Sequence, residues 1–190
     1  MPSRADDERS GPLSHITVVD LTRVLAGPYS SRIMRDLGAR VIKVELPRSG
    51  DVTRHTAPLV ERDPAHPRRS ERYDVSADQR SGYFAMANTG KESIALDLKD
   101  STDKQVLDAL CSSVLTPPLS ITPGCLIPLR SSRASSLNTG AVLAGRKADI
   151  LLENFSPGVM KSLGYDWETV HRRWPSLIMA SISGRPSCTS

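Results

Sequence analysis

Short apolar runs alternate along this chain with segments of helical spacing. Residues 16–20 and 41–46 are apolar, β-branched runs of the kind found in strands that are buried on both faces. The stretch between them predicts a helix, because Gly27 and Pro28 can begin one. Its apolar residues recur every four positions on one face, as in an amphipathic helix: Tyr29, Ile33 and Leu37. The unit predicts two parallel strands joined by a helix, with the first turn at the carboxyl edge of the sheet, where α/β sheets bind ligands.

A second group of elements begins after residue 80. Residues 81–88 form a helix-like apolar run, and residues 93–99 predict a strand with alternate apolar side chains. Asp100, with Asp103 three positions later, resembles the N-cap of a helix. The chain therefore repeats the order of helix and strand.

The pattern returns near the end of the chain. Residues 148–152 predict a buried strand, and residues 157–164 predict a short helix that begins with Pro-Gly and ends with Gly. Asp166 is expected to cap a further helix, which precedes a last strand over residues 176–183. This alternation predicts an α/β fold, with a Rossmann-like parallel sheet and flanking helices.

Four segments depart from the pattern. Residues 1–11 are expected to be a disordered tail, and residues 185–190 are an atypical ending. Residues 55–80 are polar and rich in Arg, Asp and Pro, which predicts a long surface loop. Residues 111–144 contain no acidic residue and are rich in Ser and Pro. Because connections in α/β units usually have about 2 to 6 residues, we expect an insert that interrupts a domain of residues 12–184.

The composition limits the classes of function. A chain of 190 residues with 38% hydrophobic and 24% charged residues is typical of one globular domain. The net charge of +4 suits an anionic small ligand. The basic residues are spread out and no nucleic-acid motif is present, so no nucleic-acid partner is expected. No apolar run approaches the roughly 18 residues of a membrane span, so no membrane partner is expected either.

Other indicators point to an intracellular protein without a metal. The N-terminal segment lacks the apolar core of a secretory signal, and its acidic residues argue against a transit peptide, which predicts a cytoplasmic location. Cys111, Cys125 and Cys188 have no metal-ligand spacing and are expected to be reduced thiols. The four histidines are scattered, and GxGxxG, P-loop and GxSxG motifs are absent.

Four stretches resemble, in order, the N-terminal half of the family III CoA-transferases. They are VVDLTRVLAGPYSSRIMRDLGARVIKVELPRSGDVTR, YFAMANTGKESIALDLKD, KADILLENFSPGVMKSLGYDWETV and PSLIMASISG. The group includes formyl-CoA, carnitine-CoA and succinyl-CoA:glutarate transferases and α-methylacyl-CoA racemase. The resemblance implies a truncated form of the family's Rossmann-like large domain. It also implies that CoA, as a substrate, lies along the carboxyl edge of the sheet.

The same resemblance implies a set of CoA contacts. They follow three predicted strands: Val24, Leu25, Ala26, Leu96, Lys99, Asn154 and Phe155. Backbone donors at a Gly-Pro turn suit an anionic group, Lys99 can act as a point charge for phosphate, and Phe155 can lie against adenine. Without the resemblance, Leu25, Leu96 and Phe155 would be interpreted as core, and Lys99 as a solvated residue at a strand end.

Two positions differ from the family pattern. Leu46 and Ser162 stand where relatives commonly carry arginines that are expected to contact phosphate or adenine. Arg48 and Lys161 are nearby in sequence and are candidate substitutes.

The resemblance also implies where the chemistry takes place. Family transferases use an aspartate beyond the SISG strand, which attacks the acyl-CoA thioester to give a mixed anhydride and free CoA. No carboxylate of this chain is expected to be that nucleophile. Asp20, Glu45, Asp51, Asp97 and Glu153 match non-catalytic positions of the family, and Asp166 is expected to cap a helix. The catalytic residue is therefore expected to lie outside this sequence.

The expected function is CoA transfer between an acyl-CoA and a small carboxylic acid, and this chain alone is expected to be inactive. Two alternatives remain open: a non-catalytic fragment that binds CoA or a partner, and a relative of the racemase-type isomerases. Family members form interlocked homodimers, which a chain of this length is not expected to complete. Relatives in mitochondria make that compartment an alternative to the cytoplasm.

Overall fold

The computed structural model describes residues 10–61, 79–112 and 147–184. Within these ranges the elements are, in chain order, β1 Thr17–Asp20, α1 Ala26–Asp36, β2 Arg40–Glu45, a 3-10 helix Val52–His55, β3 Leu59–Glu61, β4 Gln79–Ser81, α2 Gly82–Asn88, β5 Glu92–Ala95, α3 Ser101–Cys111, β6 Ile150–Glu153, α4 Val159–Leu163, α5 Trp167–Arg173 and β7 Ile178–Ser181.

Five strands form one parallel sheet in the order β5-β2-β1-β6-β7. The chain adds strands on one side of β1 and then returns to add β6 and β7 on the other side. The order therefore reverses between β1 and β6, where Val19 lies opposite Leu151. The predicted α/β fold with a Rossmann-like parallel sheet and flanking helices is confirmed.

The two faces of the sheet are covered by different helices. Val18 and Val19 are both fully buried but belong to separate clusters, because successive strand residues point to opposite faces. The larger cluster joins Val19 to Leu107 of α3 and Val170 of α5, whereas the smaller joins Val18 to Met34 of α1. This two-sided burial explains why β1 and β2 appear in the sequence as continuous apolar runs.

The apolar face predicted for α1 does not enter the core. On this face Tyr29 is 50% exposed, Ile33 is 49% exposed and Leu37 is 43% exposed. The helix instead buries small residues of its N-terminal half, Gly27, Pro28 and Ser31. A Cβ atom at Gly27 would lie only 2.3 Å from the Cβ of Thr22, so the close approach of this helix to the preceding turn requires glycine.

A matched pair of substitutions tests this orientation of α1. Ile33→Val should lower the free energy of unfolding by less than about 0.5 kcal/mol, because Ile33 lies on the exposed face. Ile42→Val removes the same methylene from the buried strand β2 and should cost about 0.5–1.5 kcal/mol. Urea denaturation of both variants gives the comparison, and equal losses would contradict the exposed position of Ile33.

Several element boundaries differ from the prediction. Strand β5 ends at Ala95 rather than at residue 99, because Asp97 N donates to Asp103 Oδ2 at 2.7 Å and turns the chain toward α3. Leu96 and Leu98 are nevertheless buried with Ile94, as their alternation predicted. The described ends of the predicted loop 55–80 are not irregular, since β3 and β4 pair as an antiparallel hairpin. The other residues of that loop lie outside the described ranges.

The first residue of the predicted insert lies in a helix. Cys111 is the last residue of α3 and its side chain is fully buried in the larger core cluster. Burial, reinforced by the nearby Asp108 carboxylate, raises the pKa of the Cys111 thiol to about 12, so the thiol is protonated at neutral pH. The next described residue after Ser112 is Lys147, and Ala148 N donates to Leu110 O at 2.9 Å. The described residues on the two sides of this gap are therefore adjacent.

The helix caps agree with the sequence. Asp100 accepts hydrogen bonds from the backbone N–H groups of Thr102 and Asp103, and Asp166 accepts one from Thr169. Residues 1–9 of the predicted N-terminal tail, the whole tail 185–190 and most of the predicted insert, including Cys125 and Cys188, lie outside the described residues. No helix in the described part of the chain is long and apolar enough to cross a membrane.

Candidate functional site

The candidate site is the carboxyl edge of the sheet between β1 and β6. Ligands of open α/β sheets bind in the crevice where the strand order reverses, and here the order reverses between these two strands. Three of the strands that form this edge lead directly into segments predicted to contact CoA. These are residues 24–26 after β1, residues 96–99 after β5 and residues 154–155 after β6.

The turn after β1 and the residues after β6 are joined by a reciprocal pair of hydrogen bonds. Arg23 N donates to Asn154 Oδ1 at 2.8 Å, and Asn154 Nδ2 donates to Arg23 O at 2.7 Å. The guanidinium of Arg23 also lies over the ring of Phe155, 5.2 Å from its centre. Phe155 is half-buried against the larger core cluster. Arg23 was not among the residues predicted from the sequence, and it connects the two segments.

The turn itself has an unusual backbone. Val24 has a φ of 70°, in the left-handed region that a β-branched residue rarely adopts. Its N–H donates to the carboxylate of Asp51, at 3.3 Å and 3.4 Å from the two oxygens. The carbonyl of Thr22 accepts a hydrogen bond from Lys43 Nζ at 2.8 Å. Side chains from neighbouring segments therefore hold consecutive peptide groups of the turn.

The predicted contacts are not all close together. Val24, Leu25 and Ala26 are exposed at the start of α1. Leu96 is 3% exposed and packs in the core, whereas Lys99 is exposed. Because β2 lies between β5 and β1, the segment after β5 starts two strands from the turn, about 10 Å at the usual strand spacing.

The candidate substitutes for the missing arginines also follow this edge. Arg48 is exposed in the turn after β2, with a φ of 68°, and Lys161 is exposed on α4, which follows β6. The locations of Arg48 and Lys161 do not show whether their side chains contact a ligand. Both stay predictions.

Sequence reasoning missed a cluster of buried ion pairs beneath the turn. Lys91 Nζ lies 3.0 Å from Asp20 Oδ2, and Lys43 Nζ lies 3.0 Å from Asp51 Oδ2, with all four side chains at most 1% exposed. Asp20 also accepts hydrogen bonds from Ser31 Oγ and from both the N–H and the hydroxyl of Thr22. The signal that was available is a lysine inside a strand buried on both faces, in RVIKVE.

A third ion pair extends the cluster toward β5. Arg54 Nη2 lies 2.6 Å from Glu45 Oε1, and Ser93 Oγ donates to the same oxygen at 2.7 Å. Asp51 N donates to Glu45 Oε2 at 3.0 Å, which links this pair to Asp51. Each of these carboxylates is engaged by several donors, so none resembles a free nucleophile.

The pKa values of the buried carboxylates in this cluster are lower than usual. Burial alone would raise the pKa of Asp20, but the ammonium groups of Lys91 and Lys43 and the nearby hydroxyls hold it below its usual value. The pKa of Glu45 is also lowered, because the interaction with Arg54 outweighs the effect of burial. The pKa of Asp51 is lowered because hydrogen bonds from Thr53 and the charge of Lys43 outweigh the effect of burial.

These shifts predict that the protein loses stability in acid. Because the three pKa values are lower in the folded state, the unfolded chain takes up protons first as the pH falls. Their contribution is present above pH about 4 and is lost as the pH falls through the folded-state values. Asp103, whose pKa is raised by burial and two nearby carboxylates, contributes in the opposite sense.

Urea denaturation at a series of pH values between about 7 and 3 measures the effect. Asp51→Asn should flatten the decline, because one of the three carboxylates no longer titrates. A free energy of unfolding that stays constant below pH about 5 would contradict the predicted linkage.

No group of three or more His, Cys, Asp or Glu side chains in the described ranges could hold a metal ion. The groups present at this edge include the backbone amides of the turn, the guanidinium of Arg23 and the ring of Phe155, which suit an anionic ligand with a planar part.

Comparison with known proteins identifies the family. The sequence profile of CoA-transferase family III matches residues 13–114 and 144–187. The chain belongs to CoA-transferase family III. The interval between the two matched segments falls inside the predicted insert, and the resemblance inferred from the four motifs is confirmed.

Similar family III sequences include two enzymes that act on oxalate. An acetyl-CoA:oxalate CoA-transferase of Acetobacter aceti is 37% identical over 174 residues, which are 92% of this chain and 32% of that protein. A formyl-CoA:oxalate CoA-transferase of Afipia carboxidovorans is 32% identical over 173 residues, which are 90% of this chain and 29% of that protein.

Solved structures of similar proteins have the same fold. A CAIB/BAIF family protein from Brucella suis has a TM-score of 0.62 at 28% identity, over 92% of this chain and 34% of that protein. A hypothetical protein from Mycobacterium tuberculosis has a TM-score of 0.58 at 27% identity, over 91% of this chain and 33% of that protein. The family III chain described here therefore spans about a third of the length of its relatives.

Proposed function

We propose that this chain provides the CoA-binding edge of an enzyme that transfers CoA between an acyl-CoA and a small carboxylic acid. The observation that carries the proposal is the link between the turn after β1 and the residues after β6, at the point where the strand order reverses. Two segments that the family resemblance relates to CoA, 131 residues apart in sequence, are thereby adjacent.

The proposed contacts are those of the sequence analysis, with a role for each group. The backbone at the start of α1, at Leu25 and Ala26, faces the phosphates of CoA, because helix N-termini favour anions. Val24, whose N–H already donates to Asp51, is the third proposed contact of this turn. Lys99 adds a positive charge for phosphate, and the ring of Phe155 offers a surface for adenine. Leu96 is buried, so it contributes through its backbone or by supporting Lys99.

The chemistry proposed for the whole protein passes through an aspartyl mixed anhydride. A carboxylate attacks the thioester carbonyl, the carbon–sulfur bond breaks, and the CoA thiolate leaves. The family's nucleophile follows the SISG strand, beyond the residues described here. The acidic groups at the edge of the sheet are engaged in ion pairs and hydrogen bonds, which supports their exclusion from this role.

The relatives suggest which substrates to test first. Both curated relatives act on oxalate by name, so a short dicarboxylate is the first acceptor to examine, with acetyl-CoA and formyl-CoA as donors. A cytoplasmic location is part of the proposal. The relatives named above are bacterial proteins and give no support to the mitochondrial alternative. An interlocked homodimer is proposed only for the full-length protein.

A CoA-binding protein without catalysis is the second candidate. One observation favours it: three buried carboxylates at this edge are paired with cations, so none of the three resembles a nucleophile. They are Asp20, Glu45 and Asp51. The residues proposed to contact CoA, in contrast, lie in this chain. The racemase-type alternative differs from transfer in residues beyond this chain.

Calorimetric titration of CoA into the 190-residue protein tests the proposal, with circular dichroism to establish folding. We expect saturable binding, which Lys99→Ala should weaken about tenfold through loss of a charged contact to phosphate. Lys147→Ala is the matched control, because it removes the same charge near Ser176 at the amino end of β6, the opposite edge of the sheet. A folded protein that does not bind CoA, or equal losses in both variants, would contradict the proposed site.

A further inference from the structure

The side chain of Asn154 is committed to the backbone of Arg23. Its carbonyl oxygen accepts from Arg23 N at 2.8 Å, and its amide nitrogen donates to Arg23 O at 2.7 Å. The last paired residues of the two strands are Asp20 and Leu152, so this amide extends the pairing of β1 with β6 beyond the end of the sheet. One N–H and one lone pair of the amide remain, but its position and orientation are set by the backbone of Arg23.

The residue that follows Arg23 is held in a strained conformation. A β-branched residue in the left-handed region is strained and persists only where its surroundings impose it. Val24 has a φ of 70°. Its own N–H donates to Asp51, and the backbone of Arg23, which precedes it, is hydrogen-bonded to Asn154. Asp51 is itself fixed by Lys43 Nζ at 3.0 Å and by Thr53 N at 3.0 Å.

The strained residue sets the direction in which the chain enters α1. Leu25 is the N-cap of this helix and Ala26 is its first residue, so the dihedral angles of Val24 decide where their backbone groups point. A binding surface that is ordered before the ligand arrives gains affinity, because less conformational entropy is lost on binding.

We infer that Asn154 is a positioning residue, which acts on CoA through the turn of residues 23–26 and not through a contact of its own side chain. This inference rests on the proposed function and changes the role of one residue within it. The ring of Phe155 and the backbone of the turn remain the contacting groups. Asn154 holds the strained peptide in the conformation that CoA binds.

A double-mutant cycle with Val24 separates positioning from direct contact. Asn154→Ala should weaken CoA binding about tenfold in the wild-type background, since it removes two hydrogen bonds that order the turn. In the Val24→Gly background the same change should weaken binding at most about threefold, because glycine adopts a positive φ without strain. Hydrogen exchange at the Arg23 and Val24 amides should quicken in Asn154→Ala and confirm that the turn has loosened.

Asp166→Ala serves as a control for stability. It removes the cap that accepts from Thr169 N and lowers the unfolding midpoint, and it should leave CoA affinity unchanged. Equal weakening by Asn154→Ala in both backgrounds would show direct contact, and no weakening would show no role; either result overturns the inference while the proposed function stands. Wild-type protein that is folded but does not bind CoA would instead contradict the proposed function, and this inference with it.

Discussion

Asp20→Ala should lower the free energy of unfolding by about 3–5 kcal/mol, because it leaves the ammonium group of Lys91 buried without its counter-charge. Burial already lowers the pKa of Lys91 against the attraction of Asp20, so loss of this carboxylate removes the strongest interaction that opposes desolvation. Ser31 and Thr22 lose their acceptor as well. Urea denaturation at neutral pH measures the loss.

Asp36→Ala is the matched control, since Asp36 forms an exposed ion pair with Arg32 one turn earlier in α1. It should cost no more than about 0.5 kcal/mol. The double variant Asp20→Leu with Lys91→Met should recover much of the stability, because apolar replacement of both partners removes the uncompensated charge. A loss at Asp20 no larger than that at Asp36 would contradict the buried ion pair.

Leu151→Ala should lower the free energy of unfolding by about 2–5 kcal/mol. Leu151 is fully buried in the larger core cluster, and its strand β6 pairs with β1 across the point where the strand order reverses. The loss should appear in a single transition followed both by circular dichroism and by the fluorescence of Trp167 and Trp174, which lie in the last part of the chain.

Ile178→Ala is the corresponding control on β7, where the side chain is 61% exposed. It should cost less than about 1 kcal/mol. Two separate transitions in the wild-type protein would contradict a core shared by the segments before and after the predicted insert, whatever the size of the individual losses.

The sheet was predictable because its central strands are buried on both faces. Such strands appear as continuous β-branched runs, and the helix caps Asp100 and Asp166 follow from local hydrogen bonding that short sequence patterns report. The order of these elements along the chain then limits the topology to a parallel α/β sheet.

The packing of α1 was not predictable by the same rule. Apolar periodicity indicates a face, but here the opposite face meets a polar part of the sheet through glycine, proline and serine. The hydrogen bond from Ser31 to Asp20 and the close approach of Gly27 to Thr22 are properties of the tertiary structure. They have no signature in the hydrophobic pattern of the helix.

The candidate site was predictable only through family resemblance. The link between Arg23 and Asn154 spans 131 residues, and neither residue type indicates the other in a single sequence. The buried partners Lys43 and Asp51 lie near each other in sequence. A lysine within an apolar run nevertheless indicates only that some negatively charged partner is needed. Which carboxylate supplies it depends on the fold.

The hydrogen bond between Leu110 O and Ala148 N has a practical consequence for engineering. It places the end of α3 beside the residues that lead into β6, and a flexible peptide inserted between two adjacent points costs only the slowly growing entropy of loop closure, about 0.6 kcal/mol for each doubling of its length. The junction between α3 and β6 is therefore a suitable place to fuse a fluorescent reporter, because it lies at the amino end of β6, at the edge of the sheet opposite the turn of residues 23–26.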